Sequence, residues 1–175
     1  MNFRSTEQKY GLGAVSIHWI SALLIFILIP LGTIMADMAE SDLKTLLYRI
    51  HILIGLTVLV LTLIRIVWAF LDTRPKSVEM SKENFYLYKG VQIIMYIVLT
   101  LLTLSGLVLL LTSGLMDVLL GTTSTLPLIH RSPPAFIHNI LSKILIILLL
   151  VHIAGVVYHQ YAKSDILSRM SFKST

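Results

Sequence analysis

Five histidines lie within or at the ends of long apolar stretches, where an imidazole is costly to bury. They are His18, His51, His138, His152 and His159. His138 and His152 are fourteen residues apart. On a helix this spacing is nearly four turns, so both share one face to within about 40° and lie about 21 Å apart. Because imidazoles bind metals and carry protons, the pattern predicts metal-centred or proton-transfer chemistry.

The composition indicates the environment of these histidines. Of 175 residues, 56% are hydrophobic and 13% charged, and the mean hydropathy is +0.85. A soluble domain is about 45–50% apolar and about 25% charged, so we expect a protein of the lipid bilayer. The length predicts a single transmembrane domain over 1–175. The absence of cysteine excludes disulfides, thiolate metal sites and thioether-linked haem. The net charge of +5 is too dispersed to indicate nucleic-acid binding.

Four apolar windows are long enough to cross a bilayer, which takes about 20 residues. They are 14–36, 50–71, 90–116 and 135–159. Spans in lipid must satisfy their own backbone hydrogen bonds, so the sequence predicts an all-α, integral membrane four-helix bundle. The first window is longer than a signal-peptide core and lacks a clean cleavage site, so we expect it in the mature chain. Residues 72–88 are expected to form a polar loop without structure of its own.

Lysine and arginine flank the spans unequally. Ten lie on the side of the chain termini and four on the other side. The first group is Arg4, Lys9, Arg65, Arg74, Lys76, Lys82, Lys89, Lys163, Arg169 and Lys173, and the second is Lys44, Arg49, Arg131 and Lys143. Because cytoplasmic loops carry the excess of these residues, both termini are predicted to be cytoplasmic.

This orientation places the histidines at two depths. His18 and His152 fall near the inner face, and His51 and His138 fall near the outer face. Polar contacts between helices are one explanation for single intramembrane histidines. A bare zinc site needs about four ligands, and each pair would be two short. Haem b needs only two axial ligands, so two bis-histidine haem b groups, bound without covalent links, fit both pairs.

Arg65 lies fourteen residues past His51, at the predicted depth of His18 and His152. An arginine stays charged and requires an anion in hydrocarbon, and the spans offer no acidic partner. A haem propionate would serve, and snorkelling to the inner interface is the alternative. Lys143 has the same two options at the outer side.

Glycines in the spans would let a porphyrin approach the helices. Gly55 and Gly155 lie one turn past His51 and His152, and Gly106 is central in the third span. Ordinary packing of small residues between membrane helices is the alternative, and for any one glycine it is the better explanation.

Two histidines have no partner at their depth. His159 lies two turns past His152 at the inner interface. We interpret it as a candidate catalytic residue that handles protons for a quinone, and a solvated interfacial histidine is the alternative. His130, next to Arg131, is expected to be a solvated residue of the outer loop.

Together these residues resemble the bacterial dihaem cytochrome b561 family. The similarity covers most of the chain: "SIHW" at 16–19, "HILIG" at 51–55 followed by Arg65, Tyr96 and Gly106 ten apart, the spacing of His138, His152 and His159, and "RM" at 169–170. It implies two b haems with axial ligands His18, His51, His138 and His152, in the bacterial cytoplasmic (inner) membrane. The chain departs from the family at Thr103, where proline is common, and at Gln160, where a second histidine is common.

For members of this family, the resemblance implies oxidation of superoxide outside and reduction of ubiquinone near His159. Cations at the outer face would attract the superoxide anion. Those expected there are Lys44, Arg49, His130 and Arg131, opposed by Asp37, Glu40 and Asp42. The sequence leaves open whether the protein forms a homodimer.

Two other functions are compatible with the sequence. A haem b membrane subunit that relays electrons from a dehydrogenase or hydrogenase to quinone would share this bundle, although the short loops offer little docking surface. A bundle without redox chemistry, such as a small transporter, would be colourless when purified.

Overall fold

Six helices make up the computed structural model, which describes residues 2–76, 81–129, 132–162 and 166–172. They are α1 (Leu12–Asp37), α2 (Asp42–Leu71), α3 (Lys82–Thr112), α4 (Leu115–Leu120), α5 (Pro133–Ala162) and α6 (Ile166–Arg169). No strand occurs in these ranges. Helices α1, α2, α3 and α5 are long and apolar enough to cross a membrane. The predicted all-α membrane four-helix bundle is therefore confirmed.

Serine caps explain where two of the long helices begin. The Ser41 hydroxyl accepts from the Lys44 backbone N–H at 3.2 Å, which starts α2. The Ser81 hydroxyl accepts from the Asn84 N–H at 3.4 Å, and Glu83 adds negative charge to the first turn of α3. Both devices satisfy or complement free N–H groups at a helix start. Residues 82–88 are therefore helical, and the expectation that they lack structure was wrong.

The third span ends earlier than its apolar window predicts. α3 stops at Thr112, and Gly114 then adopts φ 80°. A left-handed residue of this kind is most easily a glycine, and it turns the chain away from the helix axis. The apolar residues that follow form the short α4, in which Leu115 and Val118 are buried. Positions 115–116 therefore do not extend the third span.

The long helices of the bundle differ in how closely they pack on one another. α3 packs extensively on α5, α1 on α2, and α2 on α3. Across the described ranges, α5 has no backbone contact of similar extent with α1 or α2. The histidines of α1 and α2 therefore face those of α5 across a space that close helix contact does not fill.

Halfway along the bundle, a dry cluster fills its centre. It consists of Ile25, Val58, Val98 and Leu145, each at most 8% exposed. Ile25 lies seven residues past His18, and Leu145 lies seven from both His138 and His152. Seven residues of helix are about 10 Å, so the cluster lies midway between the two levels of histidines. We call it the central cluster.

Polar contacts join several segments at the end of the bundle that carries residues 2–11, which we call the terminal end. The Tyr10 N–H donates to the Arg169 carbonyl at 3.3 Å, and the Lys76 N–H donates to the Glu7 carbonyl at 2.8 Å. Lys76 and Glu7 also form an ion pair at 2.6 Å. The N-terminal segment, the residues after α2 and the α6 region are thereby held together. The opposite end, with residues 38–41 and 113–129, is the loop end.

Asp72 anchors the N-terminal segment to α2. Its carboxylate accepts from the Ser5 N–H at 3.1 Å, from the Ser5 hydroxyl at 2.5 Å and from Trp68 Nε1 at 3.0 Å. Burial alone would raise the pKa of Asp72, but these hydrogen bonds outweigh it and hold the pKa below its ordinary value. Asp72 is therefore ionised at neutral pH and fixes the position of Ser5.

Candidate cofactor site

His51 of α2 and His138 of α5 face each other near the loop end. Their ring centroids are 6.3 Å apart and their planes are inclined by 70°. Two imidazoles on opposite sides of one metal ion, each with a metal–nitrogen bond of about 2 Å, would have centroids about 6 Å apart. The separation therefore fits a single iron between the two rings. We call these residues the loop-end pair.

A glycine lies against each ring of the loop-end pair. A Cβ atom at Gly32 would come within 3.2 Å of His51 Cε1, and one at Gly106 within 3.2 Å of His138 Cε1. Both distances are shorter than ordinary van der Waals contact, so a larger residue would push the ring aside. Gly106 was expected to make room for a porphyrin. Its contact with the His138 ring shows that it makes room for this imidazole.

The two rings of this pair differ in their hydrogen bonds. His138 Nδ1 lies 3.0 Å from the Ser105 hydroxyl oxygen. His51 Nδ1 is buried and has no hydrogen-bond partner among the described residues. Unsatisfied buried polar atoms are uncommon and often mark a functional group. The pair thus combines one supported imidazole with one unsupported imidazole.

His18 of α1 and His152 of α5 lie near the terminal end, within electrostatic range of each other and of Arg65. We call them the terminal-end pair. His18 Nδ1 and the hydroxyl oxygen of Ser21, one turn further along α1, are both buried without a hydrogen-bond partner in the described part of the chain. Polar atoms left unsatisfied on this wall again fit a site that receives a further group.

Trp19 connects the terminal-end pair to the C-terminal part of the chain. Its ring meets the His18 ring edge to face, with centroids 5.2 Å apart. Its Nε1 donates to the Met170 carbonyl at 2.8 Å, and Arg169 donates to the Lys76 carbonyl at 2.7 Å. The "SIHW" and "RM" motifs therefore contact each other, although 151 residues separate Trp19 from Met170.

Arg65 is half-buried in α2 beside the terminal-end pair. Its Cζ lies 5.4 Å from the centroid of the Tyr96 ring. No described carboxylate forms an ion pair with it. A cation–π contact offsets part of the cost of burying the charge, about 0.5–2 kcal/mol, but does not neutralise it. Arg65 therefore remains suited to bind an anion, whereas Lys143 is exposed.

Two glycines near the histidines line open space. A Cβ atom at Gly55 or at Gly155 would meet nothing within 4 Å. Gly55 lies one turn past His51, and Gly155 lies three residues past His152. Each level of histidines therefore has one adjacent position with room for a flat group.

His159 lies half-buried in the last turn of α5. Its ring meets that of Tyr158 edge to face, with centroids 5.2 Å apart. It lies about 10 Å beyond His152 along the helix, towards the terminal end. Its position at the end of a span is suited to exchange protons with solvent.

Two of the cations expected to face solvent at the loop end, Lys44 and Arg49, bind other groups of the protein instead. Lys44 is only 4% exposed, and its Nζ bonds the Met38 carbonyl at 2.8 Å and the Glu40 carboxylate at 2.9 Å. Arg49 Nε donates to the Val118 carbonyl at 2.7 Å. The expectation that Lys44 is presented to an anionic substrate was wrong, because Glu40 neutralises it. His130, Arg131, Lys163 and Lys173 lie outside the described residues.

In the part of the chain that the structure describes, the histidine pairs have no larger group of metal-ligating side chains around them, and they lie apart from a surface cleft at the loop end. Among the described residues, no group of three or more His, Cys, Asp or Glu side chains could hold a metal ion. A cleft of about 350 Å³ opens at the loop end beside Lys44, Tyr48 and Ser124, and no described histidine lines it. Pairs of imidazoles on facing helices thus fit a cofactor that brings its own equatorial ligands.

The sequence did not identify three residues of these sites. Gly32 lies fourteen residues past His18. The fourteen-residue spacing that gave the depths of the histidines would therefore have placed Gly32 at the depth of His51 and His138. Ser21 shares a face with His18 by helical periodicity. Ser105 has no such signal, because its role depends on how α3 is rotated against α5.

A membrane four-helix bundle with histidines facing each other across its interior is typical of a membrane cytochrome b. The family model for prokaryotic cytochrome b561 matches residues 9–173, nearly the whole chain, and the chain belongs to that family. A comparison with curated proteins finds no match. Family membership makes it a membrane electron-transfer protein that uses haem b.

Proposed function

We propose that the protein binds two b haems, one between His51 and His138 and one between His18 and His152, and transfers electrons from one end of the bundle to the other. The observation that carries the proposal is the loop-end pair. Its rings face each other at 6.3 Å from helices that are otherwise not in extensive contact. His18 and His152, within electrostatic range of each other at the second depth, support an equivalent site there.

Each part of the proposed sites has a physical task. The four imidazoles would hold the haem iron through a ring nitrogen, and the haem would supply one-electron redox chemistry. Gly32 and Gly106 let the His51 and His138 rings lie close to α1 and α3. The central cluster is apolar and buried, so the interior between the two levels would be a low-dielectric medium.

Arg65 would bind a propionate at the terminal-end site. It is a permanent cation, half-buried in a membrane helix, and no described carboxylate pairs with it. Its contact with the Tyr96 ring leaves guanidinium N–H groups free for an anion. A propionate there would neutralise the charge and orient the porphyrin.

We further propose that the terminal end is cytoplasmic, in the inner membrane, and that His159 delivers protons to ubiquinone there. The ten-to-four distribution of lysine and arginine supports this orientation. Superoxide as the donor at the loop end rests on the resemblance to the dihaem family. The burial of Lys44 against Glu40 removes one cation from that argument, so the donor needs a direct test.

The test begins with the visible spectrum of the purified protein, oxidised and dithionite-reduced, with haem quantified per chain. Two haems with a reduced b-type α band are expected, and one haem or none contradicts the proposal. Superoxide consumption on addition of ubiquinone would then support a free oxidoreductase. Dependence on a large co-purifying dehydrogenase or hydrogenase would identify a relay subunit instead.

A further inference from the structure

Ser105 is a polar residue of α3 whose hydroxyl connects a backbone carbonyl to the His138 ring. Its oxygen lies 2.7 Å from the Leu102 carbonyl oxygen and 3.0 Å from His138 Nδ1. A hydroxyl has one proton to donate and two lone pairs to accept with. Because a carbonyl oxygen only accepts, the serine proton goes to Leu102, and the serine oxygen is left to accept from His138.

This arrangement assigns the tautomer of His138. An acceptor at this position favours a proton on Nδ1 of the ring. A neutral imidazole protonated on Nδ1 carries its lone pair on Nε2. The ring therefore offers Nε2 as a metal ligand.

The partner ring lacks this support. His51 Nδ1 is buried with no hydrogen-bond partner among the residues that the structure describes, and so is His18 Nδ1 at the other level. A hydrogen bond from the second ring nitrogen raises the basicity of the ligating nitrogen. His138 is therefore the stronger electron donor of the loop-end pair, and the difference originates in one hydroxyl group.

We propose that Ser105 is a positioning residue that fixes His138 as the Nδ1–H tautomer and lowers the reduction potential of the loop-end haem. This inference rests on the proposed function, because it requires haem between His51 and His138. A more basic axial ligand stabilises ferric over ferrous iron, so the hydrogen bond makes the loop-end haem easier to oxidise.

The experiment compares the midpoint potentials of both haems in purified wild type, Ser105→Ala and Ser105→Thr by spectroelectrochemical titration. Ser105→Ala removes the hydroxyl and should raise the midpoint potential of the loop-end haem by up to about 59 mV. This shift corresponds to a tenfold change in the equilibrium constant for reduction. Ser105→Thr keeps the hydroxyl and should restore a value near wild type. The His18→Ala variant shows which midpoint potential belongs to which haem, since it should retain only the loop-end haem.

Thr103→Val is the matched control. Thr103 is also half-buried in α3, but its hydroxyl bonds the Leu99 and Thr100 carbonyls, at 2.9 and 3.1 Å, and no histidine. It should leave both potentials unchanged, and the terminal-end potential should be unchanged in both Ser105 variants as well. Loss of the loop-end haem from Ser105→Ala alone would also support the positioning role.

Two results would overturn the inference. One is an unchanged loop-end potential in Ser105→Ala with both haems bound. The other is an equal shift of the loop-end potential in Thr103→Val, which would show that the loss of any hydroxyl group from α3 changes this potential. A wild-type protein without haem would refute the proposed function itself, and that result is distinct because it precedes any comparison of variants.

Discussion

The two histidine pairs lie at equivalent positions in the bundle but have different surroundings. The loop-end pair has glycines against both rings and a hydroxyl on one, all uncharged. The terminal-end pair has a cation, Arg65, within electrostatic range of both rings, with Tyr96 stacked on it. Steric fit and a hydrogen bond define one site, whereas charge defines the other. Two pairs of imidazoles at matched depths therefore differ in the charge and the hydrogen bonding around them.

The largest expected effect is the loss of one haem at a time. His51→Ala or His138→Ala should remove the loop-end haem, and His18→Ala or His152→Ala the terminal-end haem, because one imidazole cannot hold the iron on both sides. Haem per chain should fall from two to about one, as measured by the pyridine haemochrome assay. Retention of two haems in any of these variants would count against that residue as a ligand.

Removal of the Arg65 charge should affect only the terminal-end site. Arg65→Gln should lower the midpoint potential of the terminal-end haem by about 59 mV, which corresponds to a tenfold change in the equilibrium constant for reduction. The reason is that a nearby positive charge favours the reduced, less positive iron. Arg65→Lys should keep most of the effect. The exposed Lys143 serves as control through Lys143→Gln, and a shift confined to the loop-end haem would reverse our assignment of Arg65.

Added methyl groups should affect only the site defined by steric fit. Gly32→Ala and Gly106→Ala each place a Cβ about 3.2 Å from a histidine ring carbon. The ring must then shift by a few tenths of an ångström. We expect haem to dissociate from the loop-end site roughly tenfold faster, which corresponds to a decrease of about 1.4 kcal/mol in the activation free energy of dissociation. Transfer of haem to an excess of an apo-haem protein measures this rate. Gly90→Ala, whose Cβ meets nothing within 4 Å, should behave as wild type.

The smallest expected effect concerns the polar contacts that hold the terminal end together. Ser5→Ala should destabilise the protein by about 1 kcal/mol, because the Asp72 carboxylate loses its hydroxyl partner. The pKa of Asp72 is lower in the folded protein than when unfolded. Its contribution is therefore fully present above the unfolded pKa and disappears as the pH falls through the lower, folded pKa.

Thermal unfolding in detergent, from neutral pH down to about pH 3, measures this contribution. The difference between wild type and Ser5→Ala should be constant near neutrality and shrink at the acid end. Ser132→Ala at the loop end is the control, because the Ser132 hydroxyl bonds the Ile129 carbonyl and no carboxylate. A Ser5 effect that grows on acidification would contradict the depressed pKa of Asp72.

The sequence predicted the features that depend on position along a helix axis. Apolar length fixed the four spans, and the fourteen-residue spacings indicated the depths at which His51 meets His138 and His18 meets His152. Features that depend on rotation and on lateral neighbours were missed. Ser105 contacts His138 only because of how α3 lies on α5, and the burial of Lys44 depends on how its chain folds back to Met38 and Glu40. A single sequence contains no direct measure of either.

The spacing of the two levels has a consequence for the energetics of turnover. Fourteen residues of helix span about 21 Å, roughly two-thirds of a hydrocarbon layer about 30 Å thick. The central cluster between the levels holds no charge that could screen the field across the bilayer. If the proposed haems occupy both levels, transfer of an electron between them would involve electrical work of about 1.5 kcal/mol per 100 mV of transmembrane voltage. Its rate in sealed vesicles should depend on the sign of an imposed diffusion potential.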